Sequence, residues 1–205
     1  MNVSSPFKLQ PFGGEAEQEA LGLESLSLVG QVALERRGAA TILCIDYRLV
    51  ADLGDSPQAL LLPAPATAPA RCDGLWQHTC LEAFVADADA DAYWELNMAP
   101  SGDWALYRFT GYRIGQESPP GEALSFPITR RVDGLELQLR WPLPTELTSA
   151  AELRLGITAV VEQRSGALSY WALHHPGQEA DFHRRDGFSL HWPANGGFDA
   201  RPPRP

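Results

Sequence analysis

The stretch Leu135-Glu136-Leu137-Gln138-Leu139-Arg140-Trp141 alternates apolar and polar side chains without a break. A repeat of two is the mark of a half-buried strand, with one face on a core and the other in water. The same repeat runs through Thr41–Leu49, where Leu43, Ile45, Tyr47 and Leu49 alternate with Cys44, Asp46 and Arg48. It recurs in 153–161, which sets Leu153, Leu155, Ile157, Ala159 and Val161 on one side. Trp141 falls in the apolar register and is expected in the core. Asp133-Gly134, just ahead of the first stretch, favours a type I′ hairpin turn, and Gly38 turns the chain between Gln31–Arg36 and Thr41–Leu49.

Working outward, further strands are expected at Glu24–Val29, His78–Val85, Trp94–Met98, Trp104–Phe109, Ala123–Thr129, Leu168–Leu173 and Phe188–Trp192. Helix is scarce, with one or two turns expected at Thr145–Glu152 and another short piece at Gly14–Leu21. Many short strands punctuated by turns predict an all-β fold, a two-sheet antiparallel β-sandwich. The Pro/Ala-rich run Leu62–Ala70 reads as a surface loop, not a domain boundary, because the strands on either side cannot close a sheet alone. One domain is expected over residues 1–192, followed by a loose Pro/Gly-rich tail over 193–205.

The 205 residues carry a formal net charge of −10, and Lys8 is the only lysine. Phosphate backbones and anionic membrane surfaces are repelled on average, so neither nucleic acid nor membrane is expected as a partner. The N-terminal stretch lacks the charged start and apolar centre of a secretory signal, and no apolar run reaches the ~20 residues of a membrane span. Cys44, Cys72 and Cys80 are odd in number and without CxxC spacing, which argues against a disulfide framework or zinc ribbon. A cytoplasmic location is the expectation; oligomeric state is left open.

The chemistry concentrates between Arg71 and Arg113, where Trp76, Tyr93, Trp94, Trp104, Tyr107 and Tyr112 stand among Glu82, Glu95, Asn97 and Arg108. Aromatic faces cover the C–H faces of a sugar ring, while carboxylate, amide and guanidinium read its hydroxyls. On strands, His78, Cys80, Glu82 and Phe84 share one face, Tyr93, Glu95 and Asn97 another, and Trp104, Leu106 and Arg108 a third. Glu82, Asn97 and Arg108 would then converge on a polar floor, with Trp76 as a wall and His78 beside it. The plainer alternative is that the aromatics are core and the Arg–Glu pairing is structural.

A second cluster, residues 169–188, brings Trp171, His174, His175, Asp181 and His183 together. No metal or cofactor is the leading expectation. The alternatives are a metal held by two of these histidines with Asp181, or haem b held by one histidine with Met98 or His78. Without a recognised ligand spacing, the side chains are expected instead to pin a loop by hydrogen bonds, with Asp181 capping it or holding a histidine tautomer.

At these two segments the sequence resembles the DOMON-like proteins, the superfamily that includes family 9 carbohydrate-binding modules and cytochrome-type DOMON domains. The residues that carry the likeness are Leu75-Trp76, Thr79-Cys80 with Glu82, Asn97 with Pro100–Trp104, Tyr107–Phe109, Tyr170–Leu173, His175–Gly177 and Asp181–His183. The likeness spans about residues 24–192 and is greatest to a bacterial branch in which the domain stands alone without a signal. It implies a jelly-roll-type sandwich with a ligand slot over one sheet. In the sugar binders of that superfamily a terminal sugar lies between two tryptophans, with a Glu and an Arg among its hydrogen-bond partners. Trp76 and Glu82 match by spacing, with Arg108 and Trp171 as the corresponding second pair. In the haem-binding relatives a Met and a His hold the iron, which Met98 with His174 or His175 would imitate.

The expected function is thus a non-catalytic binding domain for a small carbohydrate or sugar-derived metabolite, contacted by Trp76, Glu82, Asn97, Arg108, Trp171 and His78. The competing readings are a haem or metal protein, a glycoside hydrolase using Glu82 with Glu95 or Asp103, and a protein-interaction domain without a small ligand.

Overall fold

The computed structural model describes residues 4–38, 40–51, 60–121 and 123–193, apart from the side chain of Glu17. In chain order its elements are Ser4–Lys8 (β1), Gln10–Pro11 (β2), Gly14–Leu21 (α1), Leu26–Arg37 (β3), Ala40–Ala51 (β4), Cys80–Asp87 (β5), Tyr93–Met98 (β6) and Trp104–Phe109 (β7). There follow Ile128–Arg131 (β8), Gly134–Pro142 (β9), Thr145–Thr148 (α2), Glu152–Glu162 (β10), Leu168–Ala172 (β11) and Leu190–Pro193 (β12). Single 3-10 turns lie at Leu75–Gln77 and Arg185–Gly187.

Two antiparallel sheets result. The order β1-β3-β4-β9-β8 makes one of five strands, and β2-β11-β10-β5-β6-β7, with β12 also on β10, makes one of seven. Alternation sets which side chains meet. The β4–β9 register aligns Leu43 with Trp141, Ile45 with Leu139, Tyr47 with Leu137 and Leu49 with Leu135, one apolar sheet of side chains. Facing it from the other sheet are Leu81, Ala83, Val85, Leu96, Met98, Leu155 and Ile157, all in the same buried cluster. Each Leu, Ile, Val or Met among them contributes about 1.5–3 kcal/mol by leaving water. The fold is therefore an all-β antiparallel sandwich, and Trp141 is buried in its core against Trp94.

The N-terminal strap joins the layers. β1 pairs with β3 in one sheet and β2 pairs with β11 in the other, with the fully buried Leu9 between them. Nothing in the local pattern announces these strands. Pro6 interrupts the first, and a proline is accommodated there because β1 is an edge.

Several expected boundaries shift. Glu24–Val29 and Gln31–Arg36 merge into β3, because Gly30 continues the strand and leaves room for Phe7, whose ring atom lies 2.4 Å from where a Cβ would be. Ala123–Thr129 is not a strand up to Pro127; pairing begins only at Ile128. The helix at Thr145 ends at Thr148, and Phe188 follows a 3-10 turn instead of starting a strand. The β8–β9 turn is not type I′: Arg131 pairs with Gly134, so Val132 and Asp133 form the tip, and neither has positive φ. Gly134 itself has φ 152°, and a Cβ there would meet the Leu49 carbonyl oxygen at 2.0 Å. No helix among the described residues is long and apolar enough to cross a membrane. Of the expected loose tail, only Pro193 lies within the described residues.

Candidate functional site

The outer face of the seven-stranded sheet is covered, which is why β6 is buried at every position instead of at alternate ones. Cross-strand register builds its surface row by row. Thr158 stands beside Glu82, Glu82 beside Asn97, and Asn97 beside Ala105. One row on, Phe84 stands beside Glu95, and Glu95 beside Tyr107. Beyond these, Phe84, Tyr93, Phe109 and Phe188 pack as a second apolar cluster, with the Tyr93 and Phe109 rings stacked at 4.8 Å.

Above this face is a cavity of about 300 Å³. Glu82, Glu95 and Val160 form its floor, with Phe84, Tyr107 and Phe109 alongside; Trp76, Arg113 and the 180–183 segment wall it. Trp76 is 40% exposed and meets Tyr107 edge-to-face at 6.2 Å. The Tyr107 hydroxyl donates to Asp73 Oδ1 at 2.5 Å, which fixes the ring under the indole.

The floor is poor in water. Glu82 is 2% exposed and its Oε2 accepts from the Thr158 hydroxyl at 2.9 Å. Burial pushes its carboxyl up to about 8, with the neighbouring Glu95 charge adding to the shift and the Thr158 bond opposing it. Glu95 is 4% exposed; burial raises it to about 7, against the Asn97 amide, which donates to Oε1 at 2.6 Å, and the Arg113 charge. His183 lies with Nε2 3.8 Å from Glu95 Oε2, but burial, with Arg113 nearby, lowers it to about 4. The imidazole is therefore neutral at neutral pH, and that contact is not an ion pair there. The Tyr93 hydroxyl accepts from the Arg113 backbone N–H at 3.2 Å and lies 2.7 Å from His183 Nδ1. Every donor is used if Tyr93 donates to Nδ1, which places the imidazole proton on Nε2, towards Glu95.

Two loops form the rim. Arg113 is the only non-glycine with positive φ among the described residues, at 54°. Its guanidinium binds Asp181 Oδ1 at 2.7 Å, and the Tyr112 hydroxyl donates to the same carboxylate, so the loop after β7 is tied to the loop after β11. Burial works to raise Asp181, but these bonds hold it below the ordinary carboxylate value.

The structure gathers some of the sequence-expected residues and separates others. Trp76 and Glu82 share the cavity, and the fully buried Asn97 lies beneath it, holding Glu95 and accepting from the Cys80 thiol at 3.6 Å. Arg108 does not converge with them. It pairs with Trp94 in the β6–β7 register, on the opposite face from Glu95 and Tyr107, and binds Glu146 at 3.0 Å. Trp171 is not a second wall: it is 1% exposed in the core between the sheets, with its indole N–H donating to the Ser169 hydroxyl at 2.9 Å. His78, past the end of its 3-10 turn, is exposed and pairs with Glu162 at 2.9 Å.

The pairing of Met98 with a histidine around haem fails on geometry. Met98 is buried in the inter-sheet core, on the other face from His183, while His175 contacts the Gln10 carbonyl at 3.0 Å and the Phe12 ring. His174 sits on the covering loop at the Pro176–Gly187 contact. No group of three or more His, Cys, Asp or Glu able to hold a metal occurs among the described residues. Asp181 serves instead to fasten loops. Tyr107, one of the clustered aromatics, lines the cavity, as do Arg113, Tyr170 and Phe182, which the sequence pattern does not single out as ligand contacts. The signal available for Arg113 was the Gly111-Tyr112-Arg113 turn directly after a strand.

No protein-family model matches the chain, and none of the curated proteins does. Among solved structures it is similar to a "putative carbohydrate-binding protein" from Bacteroides uniformis, at 10% identity over 89% of this chain and 83% of that one, with TM-score 0.61. Two structures of a family 9 carbohydrate-binding module from Caldicellulosiruptor kristjanssonii, with cellotriose and with glucose, match at 12% and 13% identity. They cover 71% and 70% of this chain and 65% and 66% of their own, with TM-scores of 0.38 and 0.36, too low to carry an argument. At 10% identity, the first likeness supports the sandwich fold and nothing finer.

Proposed function

We propose that the protein is a binding domain for a small carbohydrate or sugar-derived metabolite, seated in the cavity over β5, β6 and β7. The observation that carries this reading is Trp76, an exposed indole propped on Tyr107 at the mouth of a cavity whose floor is polar and buried. An aromatic face above hydrogen-bonding groups is what a pyranose ring fits, and the cavity of about 300 Å³ suits a single sugar better than a long chain. Stacking on Trp76 supplies on the order of 1 kcal/mol. Selectivity comes from Glu82 and Glu95, since a missing hydroxyl leaves a buried group unpaired. Titration calorimetry and tryptophan fluorescence against a panel of mono- and disaccharides test it. Trp76→Ala should weaken binding about fivefold or more with unchanged unfolding; a panel without a single binder overturns the proposal.

One observation favours a second reading, glycoside hydrolysis. Two carboxyls raised well above their ordinary range in one cavity are what acid–base catalysis uses. Turnover of aryl glycosides that is lost in Glu82→Gln would establish it, and intact substrate after prolonged incubation removes it.

A further inference from the structure

The cavity floor presents two carboxyls without a cation committed to them. Glu82 Oε2 accepts from Thr158, and no described residue donates to Oε1. Glu95 Oε1 accepts from Asn97, while Oε2 faces only the neutral His183 at 3.8 Å. The guanidinium on the rim, Arg113, is held by Asp181 at 2.7 Å, so its charge is balanced outside the floor. Phe84, Tyr107 and Phe109 flank the two carboxyls, and ring faces are themselves negative. Carboxyl oxygens open to the cavity and left without a close donor, set among aromatic rings, describe a place prepared for positive charge.

We infer that the pocket selects a ligand bearing an ammonium group, an amino sugar over a neutral one, with the ammonium between Glu82 and Glu95 and the ring against Trp76. The ring rests on the carbohydrate reading above; the ammonium does not. An ammonium supplies up to three donors to the free oxygens, and a neutral hydroxyl supplies one. An anionic ligand would have to approach Glu82, Glu95 and Asp181 with only Arg113 in its favour.

Seating the cation releases a proton, because the carboxyls are held protonated by burial until a positive charge arrives. The titratable groups around them are Cys80 on β5, Tyr93 on β6 and Tyr107 on β7, with Tyr47 on β4 reaching the Glu82 backbone carbonyl from the core side, all four with raised values and neutral at neutral pH, besides Arg113, Asp181 and His183 on the loops. None of the first four takes up the released proton, which goes to buffer.

Titration calorimetry of the full chain at about pH 6.5, in buffers of different ionisation heat, tests this with glucosamine, glucose, N-acetylglucosamine and cyclohexylamine. The expected result is glucosamine bound about tenfold or more tighter than the two neutral sugars, with release of up to about one proton. Glu82→Gln, or Glu95→Gln if the first variant does not fold, should bring the three sugars within about threefold of one another. Equal affinity for glucose and glucosamine overturns the ammonium site and leaves the carbohydrate reading standing. Cyclohexylamine binding with proton release, without any sugar, supports the ammonium site and overturns the carbohydrate reading. No binding of any of the four overturns both.

Discussion

The outer faces of the two sheets carry the same kinds of residue in opposite states. On the five-stranded sheet, Asp46 pairs with Arg140 at 2.7 Å and Glu136 with Arg131 at 2.9 Å, all in contact with water. On the seven-stranded sheet, Glu82 and Glu95 occupy equivalent strand positions, yet are almost wholly buried and lack a close cationic partner. The strands do not differ in kind. What differs is the cover: the Trp76 turn, the 110–117 loop and the 173–188 segment lie over one sheet, and among the described residues nothing equivalent lies over the other. A carboxylate on a strand is a solvated charge or a functional group according to what loops place above it.

The largest expected effect separates this covered face from the core behind it. Trp171→Ala removes a fully buried indole from between the sheets and should cost about 3–5 kcal/mol in urea unfolding, while the molecules that remain folded keep their ligand affinity. A small stability change with lost binding would instead return Trp171 to the outer face.

A matched acid-to-amide pair sharpens the comparison directly. The folded chain holds the Glu82 proton up to about pH 8, whereas the unfolded chain releases it near 4.5. More protons on the folded state mean that stability falls as pH rises through that window, by an amount on the order of a few kcal/mol. Glu95 acts with the same sign between 4.5 and about 7, and His183, lowered from 6.5 to about 4, acts with the opposite sign below 6.5. Glu82→Gln should therefore flatten the fall in urea midpoint between about pH 6.5 and 8 and gain stability on wild type at the alkaline end. An unchanged pH profile would mean that the face is wet.

The smallest effect is expected on the open sheet. Asp46→Asn should change stability by less than about 1 kcal/mol, and the difference should shrink further in high salt, because exposed pairs are screened. Unfolding curves at low and high salt read it; a loss as large as that from Trp171→Ala would show a buried pair.

Much of this was legible locally. The repeat of two in β4, β9 and β10 announces antiparallel strands, although β10 is buried on both faces over 155–161, and the parity of β5 and β6 correctly groups Glu82 with Phe84 and Glu95 with Asn97. Parity misled at β7. It groups Arg108 with Trp104 and Leu106, but only the pairing of Arg108 with Trp94 shows that this face looks inward, leaving Tyr107 for the cavity. Trp171 failed for the same reason, one residue of parity away from Tyr170, which does line the cavity.

By itself the amino-acid order determined the central strands, the sandwich and the two-sided division of those strands, since alternation is a property of neighbours along one chain. Only tertiary structure decided which side faces the opposite sheet, which rows align across strands, and which loops fold over the Glu82–Glu95 floor. Those choices are made by packing between residues far apart in sequence, and a shift of one residue exchanges every inward side chain for an outward one.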